Sequence, residues 1–385
     1  EEDREALISP LETGWVVQGP NVARFEKMFS EYTGAKHSIA VTSCTTALHL
    51  GLIAAGVDSM SEVVVPSFTY IASANAVEYT GAKPLFCDID VNTFNIDTEK
   101  LEELLTLNPN IKCIMPVNLF GLCADMSAIK EICEDYGVFI IEDSACGLGG
   151  YIDAKHSGTF GNCGCFSFHP RKAITTGEGG MLVTDDDEIA DKVRKIRDHG
   201  ASKSDLQRHH EEGGSLLPEF NMLGYNYRMT DFQGALGVSQ MKKADRIING
   251  RREAAEKYDR LLAGSEFLKT PFVPDGYSHP YQSYVCTFTA GKDLTIDISQ
   301  TDEINIIRNI VMQILEKKGI ATRQGTHAVH TLGFYKDKYT LSDDMFPASY
   351  AADRLSIALP LYADMPDEDI SSVAEELVKA FKEVN

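Results

Sequence analysis

Short apolar runs alternate with helical patterns over the first 200 residues. The extended candidates are 38–42 (SIAVT), 62–67 (EVVVPS), 83–89 (KPLFCDI), 112–118 (KCIMPVN) and 138–143 (VFIIED). Their starts lie about one strand plus one crossover helix apart. The segments between them (TTALHLGLIAAG, YIASANAVEYTG, TEKLEELLTL, DMSAIKEICEDYG) read as helices, each ending near a Gly or a polar break. Near-continuous apolar strands between helices predict a mostly parallel sheet covered on both faces. Two shorter strands follow at 164–168 and 180–184.

Residues 201–221 read as a long polar loop, and 230–262 as one long helix or two, interrupted near Asn249-Gly250. Beyond that the pattern changes to YQSYVCTFT, a helix near 302–317, GIATR, RLSIALPLY and a last amphipathic helix over 367–383. We read an α/β chain with a large domain over 1–245 and a smaller α+β C-terminal domain over 246–385. The N-terminal segment is free to pack on the small domain.

The chain has 385 residues, with 57 acidic and 36 basic side chains and a net charge of −21. That balance argues against sequence-independent nucleic-acid binding, which needs basic residues on the phosphates. It argues equally against docking on an anionic membrane. No apolar stretch approaches the roughly 20 residues that span a bilayer. The first residues, EEDREALISP, lack the basic and apolar regions of a signal peptide. Nine scattered cysteines, none at the two-residue spacing of redox or zinc pairs, favour reduced thiols in a cytoplasmic protein.

Two stretches imitate metal sites. Asp88, Asp90, Asn92 and Glu99 follow calcium-loop spacing, but Thr93 stands where that loop needs Gly. His209-His210 with Glu211-Glu212 reads as a solvated loop. There is no dinucleotide fingerprint, Walker A loop or H-E-x-x-H, and we expect no metal.

Three other segments carry chemistry at the carboxyl ends of predicted strands, where open α/β sheets hold ligands. In VTSCTTALHLGL a strand gives way to a helix whose first N–H groups suit a phosphate. In FIIEDSACGLGG, Glu142 and Asp143 end an apolar strand, and a buried carboxylate needs a partner to stay ionised. In CFSFHPRKAITTGEGGMLVT, Lys172 lies between an apolar strand and a Gly-rich turn. Phosphate site, carboxylate and lysine around one ligand suit pyridoxal 5'-phosphate: the lysine bonds the aldehyde, and the aspartate keeps the ring nitrogen protonated.

SFHPRKAITTGEGGM, with EDSA upstream and GYNYRMTDFQGALG downstream, resembles the DegT/DnrJ/EryC1/StrS sugar aminotransferases, as do GWVVQGPNVARFE and RLSIALPLY. The resemblance implies the fold type I architecture of pyridoxal-phosphate transferases, a homodimer, and active sites at the dimer interface. It implies that Lys172 bonds the cofactor, Asp143 faces its ring nitrogen and Tyr70 stacks on its ring. Cys44, Thr45 and Ser167 then hold the phosphate, and Asn226 reaches it from the partner subunit. Cys146 stands where the family commonly has Gln or His near the phenolic oxygen, and a thiol is a weak donor. His169, Arg323, His327 and His330 are the candidate substrate contacts, although ATRQGTHAVH departs from the family's pattern there. The reaction implied is amino transfer from glutamate to a keto sugar, nucleotide-linked and of the 3- or 4-keto-6-deoxyhexose kind. A sugar dehydratase of the same family, which would carry His for Lys172, and a non-catalytic relative are the alternatives.

Overall fold

The computed structural model describes residues 1–204, 206, 209 and 217–384. Its core is a seven-stranded sheet. From one edge the strands run His37–Val41, Gly180–Thr184, Cys163–Ser167, Phe139–Asp143, Ile111–Ile114, Glu62–Pro66 and Lys83–Cys87. The last five in that order are parallel to one another, whereas Gly180–Thr184 is antiparallel to both of its neighbours. All seven strands fall where the apolar runs predict them, shifted or shortened by a few residues at most.

Strand residues alternate between faces with period two, and the core divides accordingly. Ile39, Val41, Val63, Val65, Ile141 and Leu182 pack with the helices Cys44–Ala54 and Asp187–Arg197. Ala40, Phe166, Met181 and Val183 point the other way, against Pro20–Thr33 and the helix Asp231–Met241. Val64, Ile114 and Ile140 share that opposite side with Thr98–Leu107 and Met126–Tyr136.

A second apolar cluster gathers a three-stranded sheet (Leu268–Lys269, Tyr284–Phe288, Ser356–Leu359) with the helices Ile298–Lys317 and Asp367–Val384. The helix Ala244–Leu262 serves both cores: Ala244 and Ile248 belong to the first, Ala254, Tyr258 and Leu262 to the second. The two parts also share strand pairs. Tyr277–Ser278 pairs with Tyr151–Ile152, and His327–Ala328 with Phe68–Thr69.

Two expectations are corrected. The break in 230–262 falls at Lys242–Lys243, and Asn249-Gly250 is inside a helix. There Gly250 faces the Ala363 backbone, which a Cβ would meet at 3.4 Å, an ordinary contact. GIATR forms no strand; only Arg323 bridges, to Ala358. The N-terminal helix Glu2–Thr13 packs on Asp231–Met241 instead of the small domain, because Asp3 accepts from Ser239, Gln240 and Lys243. Much of the expected loop over 201–221, including His210, Glu211 and Glu212, lies outside the described residues. Asp88 and Asp90 spend their oxygens on Ala348, Ser349, Asn92 and Thr93, and no metal-ligand cluster occurs among the described residues. All nine cysteines are free, and no described helix is long and apolar enough to cross a membrane.

Candidate active site

Asp143 is the last residue of its strand and is buried. Its Oδ1 accepts from the Ala145 N–H at 3.1 Å and its Oδ2 from Ser73 Oγ at 2.7 Å. Burial pushes its carboxyl above the usual range, although those two bonds and the Lys172 charge pull the other way. A buried carboxylate in that position is completed by a cationic N–H donor. Its neighbour Glu142 has a different task. Glu142 accepts from the N–H groups of Gly158, Phe160 and Gly161 and from Asn118 Nδ2, clasping the loop before the next strand.

Lys172 sits in the turn after Cys163–Ser167, where its N–H donates to the His169 carbonyl at 2.8 Å. Its Nζ donates to Cys146 Sγ at 3.0 Å. Burial pulls the amine's pKa down, but the contact with Cys146 and the Asp143 charge pull it up and prevail. Lys172 Nζ thus faces the Cys146 sulfur, within reach of the Asp143 charge. The Cys44 thiol lies 4.0 Å from Asp143 Oδ1. Burial, reinforced by the Asp143 charge, pushes that thiol well above its ordinary pKa, so it stays protonated.

The helix Cys44–Ala54 begins beside them. Ser43 caps it by accepting from the Thr46 N–H, and Thr46 Oγ1 accepts from the Ser43 N–H in return. No hydrogen bond among the described residues uses the N–H groups of Cys44 or Thr45. Two unclaimed donors at a positive helix end form an anion cradle. Gly180 makes it possible: a Cβ there would stand 2.3 Å from the Ser43 carbonyl carbon and 2.5 Å from the Cys44 nitrogen. Gly180 also pairs with Ser167, which brings the Ser167 hydroxyl to the same corner.

The other expected residues distribute unevenly. Tyr70 follows Phe68–Thr69 and is 66% exposed, leaving a ring face open. His327 is exposed and is the strand partner of Thr69, the residue before Tyr70. Its Nδ1 lies 4.0 Å from the buried Asp353 carboxylate. His169 is half-buried, and its Nδ1 accepts from the Arg171 N–H at 3.2 Å. Arg323 is exposed on its bridge to Ala358. His330 is fully buried, with Nδ1 2.6 Å from Ser67 Oγ, a contact that ties its segment to the residue before Phe68–Thr69. Asn226 is exposed. It does not cap the following helix, because Thr230 does.

Anion cradle, buried aspartate and lysine amine thus meet at one corner. The DegT/DnrJ/EryC1/StrS aminotransferase family model matches residues 1–378. The chain belongs to that family. It is 36% identical over 374 residues to the spore coat polysaccharide biosynthesis protein SpsC of Bacillus subtilis, covering 97% of this chain and 93% of the relative. It is 36% identical over 378 residues to the GDP-perosamine synthase of Caulobacter vibrioides, covering 97% and 94%. Among solved structures, Helicobacter pylori PseC, an aminotransferase involved in pseudoaminic acid biosynthesis, superposes with a TM-score of 0.88 at 26% identity, covering 100% of this chain and 97% of that one. A Streptococcus pneumoniae relative solved in its PMP-form gives 0.90 at 26% identity, with the same coverage. The aminotransferases of this family use pyridoxal phosphate, and the corner described fits it: the cradle suits its phosphate, Asp143 its ring nitrogen and Lys172 its aldehyde.

Sequence reading missed Ser73 and Thr69, which stand behind Asp143. Their only sequence signal is their place in PSFTYIASANA, Ser73 one helical turn after Tyr70.

Proposed function

We propose that this enzyme moves an amino group from glutamate to a keto sugar carried on a nucleotide, as a homodimer whose sites each draw a residue from both subunits. The observation that carries the reading is the Lys172 amine, held against Cys146 on the loop that follows Asp143. The functions of the relatives support the sugar, and the 3- or 4-keto-6-deoxyhexose class is the acceptor we infer.

Pyridoxal phosphate, when bound, supplies an aldehyde that carries the amine and a ring that accepts the electron pair released at the substrate carbon. The protein's part is binding, orientation and proton movement. The Cys44 and Thr45 N–H groups and the Ser167 hydroxyl hold the phosphate, assisted by the partner subunit's Asn226. Tyr70 covers the ring. Asp143 holds a proton on the ring nitrogen by its negative charge. Lys172 Nζ would hold the cofactor through its aldehyde and, as a free amine, would take a proton from the substrate carbon and return it on the acceptor side. His327 and His169 line the approach and are our candidates for the acceptor's hydroxyls and phosphates.

The test is a two-stage assay on cofactor-loaded protein. Glutamate should convert the cofactor absorbance to that of its amine form, and a panel of nucleotide-linked keto sugars should convert it back. Lys172→Ala should bind cofactor through the phosphate contacts yet fail both stages. Conversion by glutamate with no keto sugar able to reverse it would remove the sugar from the reading. Near-parental turnover by Lys172→Ala would remove the lysine.

A further inference from the structure

The hydrogen bonds behind Asp143 lead away from the cofactor corner toward the small domain. Ser73 Oγ donates to Asp143 Oδ2 at 2.7 Å, and Thr69 Oγ1 lies 3.1 Å from Ser73 Oγ. Both residues are enclosed, at 0% and 1% exposure. A serine hydroxyl has one proton to give. Its other acceptor, the Tyr70 carbonyl, is 3.3 Å away, so the carboxylate at 2.7 Å takes it. Thr69 must then be the donor to Ser73, which fixes the direction of the chain: Thr69 to Ser73 to Asp143.

Thr69 is also the strand partner of His327, in the segment expected to face the acceptor. That strand pair is locked on its far side by the Val329 N–H donating to the Ser67 carbonyl at 2.7 Å and by the buried His330–Ser67 contact. The terminal torsion of an aspartate is broad and nearly two-fold, so one hydrogen bond leaves the carboxylate free to swing. Asp143 has two short ones, Ala145 on Oδ1 and Ser73 on Oδ2, and the longer Cys44 contact on Oδ1.

Building on the reading of the enzyme given above, we propose that Ser73 is a positioning residue for amino transfer. Backed by Thr69, it fixes the Asp143 carboxylate toward the cofactor's ring nitrogen and ties that orientation to the strand pair that carries His327. Ser73 itself touches neither substrate nor reacting atoms.

The test compares apoproteins of the parent, Ser73→Ala and Thr69→Val for binding of pyridoxal phosphate and of 1-deazapyridoxal phosphate, which lacks the ring nitrogen. Far-UV circular dichroism checks that each is folded. The parent should prefer the nitrogen-bearing cofactor. Ser73→Ala should lose about tenfold of that preference, the lower end for a hydrogen bond to a charged group, while its affinity for the deaza analogue holds. Its half-reaction with glutamate should slow by a similar factor at unchanged apparent donor affinity. Thr69→Val, nearly isosteric, should show the same pattern at smaller size, which keeps the proposal testable if Ser73→Ala does not fold. Equal loss of affinity for both cofactors would make Ser73 a packing residue and overturn the proposal. So would unchanged preference in both variants. A parent that binds pyridoxal phosphate no better than the deaza analogue would instead overturn the role of Asp143, and this proposal with it. A parent that binds neither would sink the aminotransferase reading first.

Discussion

Replacing Gly180 by Ala tests the phosphate cradle without touching any residue that contacts the cofactor. The new Cβ would stand 2.3 Å from the Ser43 carbonyl carbon, 2.4 Å from its oxygen and 2.5 Å from the Cys44 nitrogen. All three are backbone atoms, so no rotamer change relieves the clash. Ordinary contact requires the helix N-terminus to retreat by about 1 Å. Gly180 is held in its strand by pairing with Val41 on one side and Ser167 on the other, so the helix has to give way. Overpacking of this kind costs roughly 1–3 kcal/mol of stability. The retreat also moves the Cys44 and Thr45 donors off the phosphate. Hydrogen bonds to a charged group contribute about 1.5–3 kcal/mol each, so weakening the pair should raise the cofactor's Kd by about 10²-fold. Equilibrium dialysis against pyridoxal phosphate reads the Kd, and urea unfolding of the apoprotein reads the stability. Pyridoxal without its phosphate supplies the control, since its weaker binding should change little. A Gly180→Ala protein with parental Kd would show that the phosphate does not sit at this helix end.

Asp143→Asn keeps the shape and removes the charge, so the half-reaction with glutamate should slow by about 10²-fold or more in stopped-flow absorbance; an unaltered rate would hand the role to another group. Subunits carrying only Lys172→Ala, mixed under exchange conditions with subunits carrying only Asn226→Ala, should recover activity, because each mixed dimer then has one intact site. Activity equal to the sum of the parents would mean that the sites are independent. Two buried histidines make stability depend on pH: His156, whose Nε2 accepts from the Gly149 N–H, is pushed by burial to about 4, and His279, whose Nδ1 accepts from the Tyr281 N–H, to about 3, both from an ordinary 6.5. Their folded pKa values are depressed, so their contribution is intact above pH 6.5 and is lost as the pH falls toward 4, at up to about 1.4 kcal/mol per pH unit each. Urea midpoints of His156→Gln and His279→Gln from pH 7.5 to 4.5 should fall less steeply than the parent's, and parallel slopes would refute the assignment. The carboxyls of Glu142 and Asp143, raised by burial, act with the opposite sign, so only the difference from the parent isolates the histidines.

The large domain was legible because its strands are apolar on both faces and its helices end at capping residues. A run such as VFIIED has no reading that leaves it exposed. The breaks were less legible. Asn249-Gly250 looks like a helix terminator, yet the helix Ala244–Leu262 runs through it because its two ends pack in two cores, which no local pattern encodes. GIATR has the β-branched look of a strand but only one residue with a ladder partner. The packing of Glu2–Thr13 depends on Asp3 meeting Ser239, Gln240 and Lys243, another long-range event that local periodicity cannot carry.

The candidate site divides in the same way, and the Glu142-Asp143 pair shows where the division lies. Both carboxylates end one strand and both are buried, so composition and position treat them alike. What separates them is the donor set that each meets after folding. Glu142 is met by three backbone N–H groups and an amide, enough to satisfy a carboxylate with no ligand present. Asp143 is met by one N–H and one hydroxyl, with the Cys44 thiol 4.0 Å from Oδ1. A buried acid left short of donors is the one poised for a ligand. The motif identified the pair, but only the three-dimensional count of donors decides between them. The same count exposes Ser73, a residue that looks like any other serine in the first turn of a helix until its proton is followed to Asp143. Residues that act on the cofactor come in recognisable runs because the chemistry restricts their type. Residues that act on those residues need only a proton at the right distance, and many side chains can supply one.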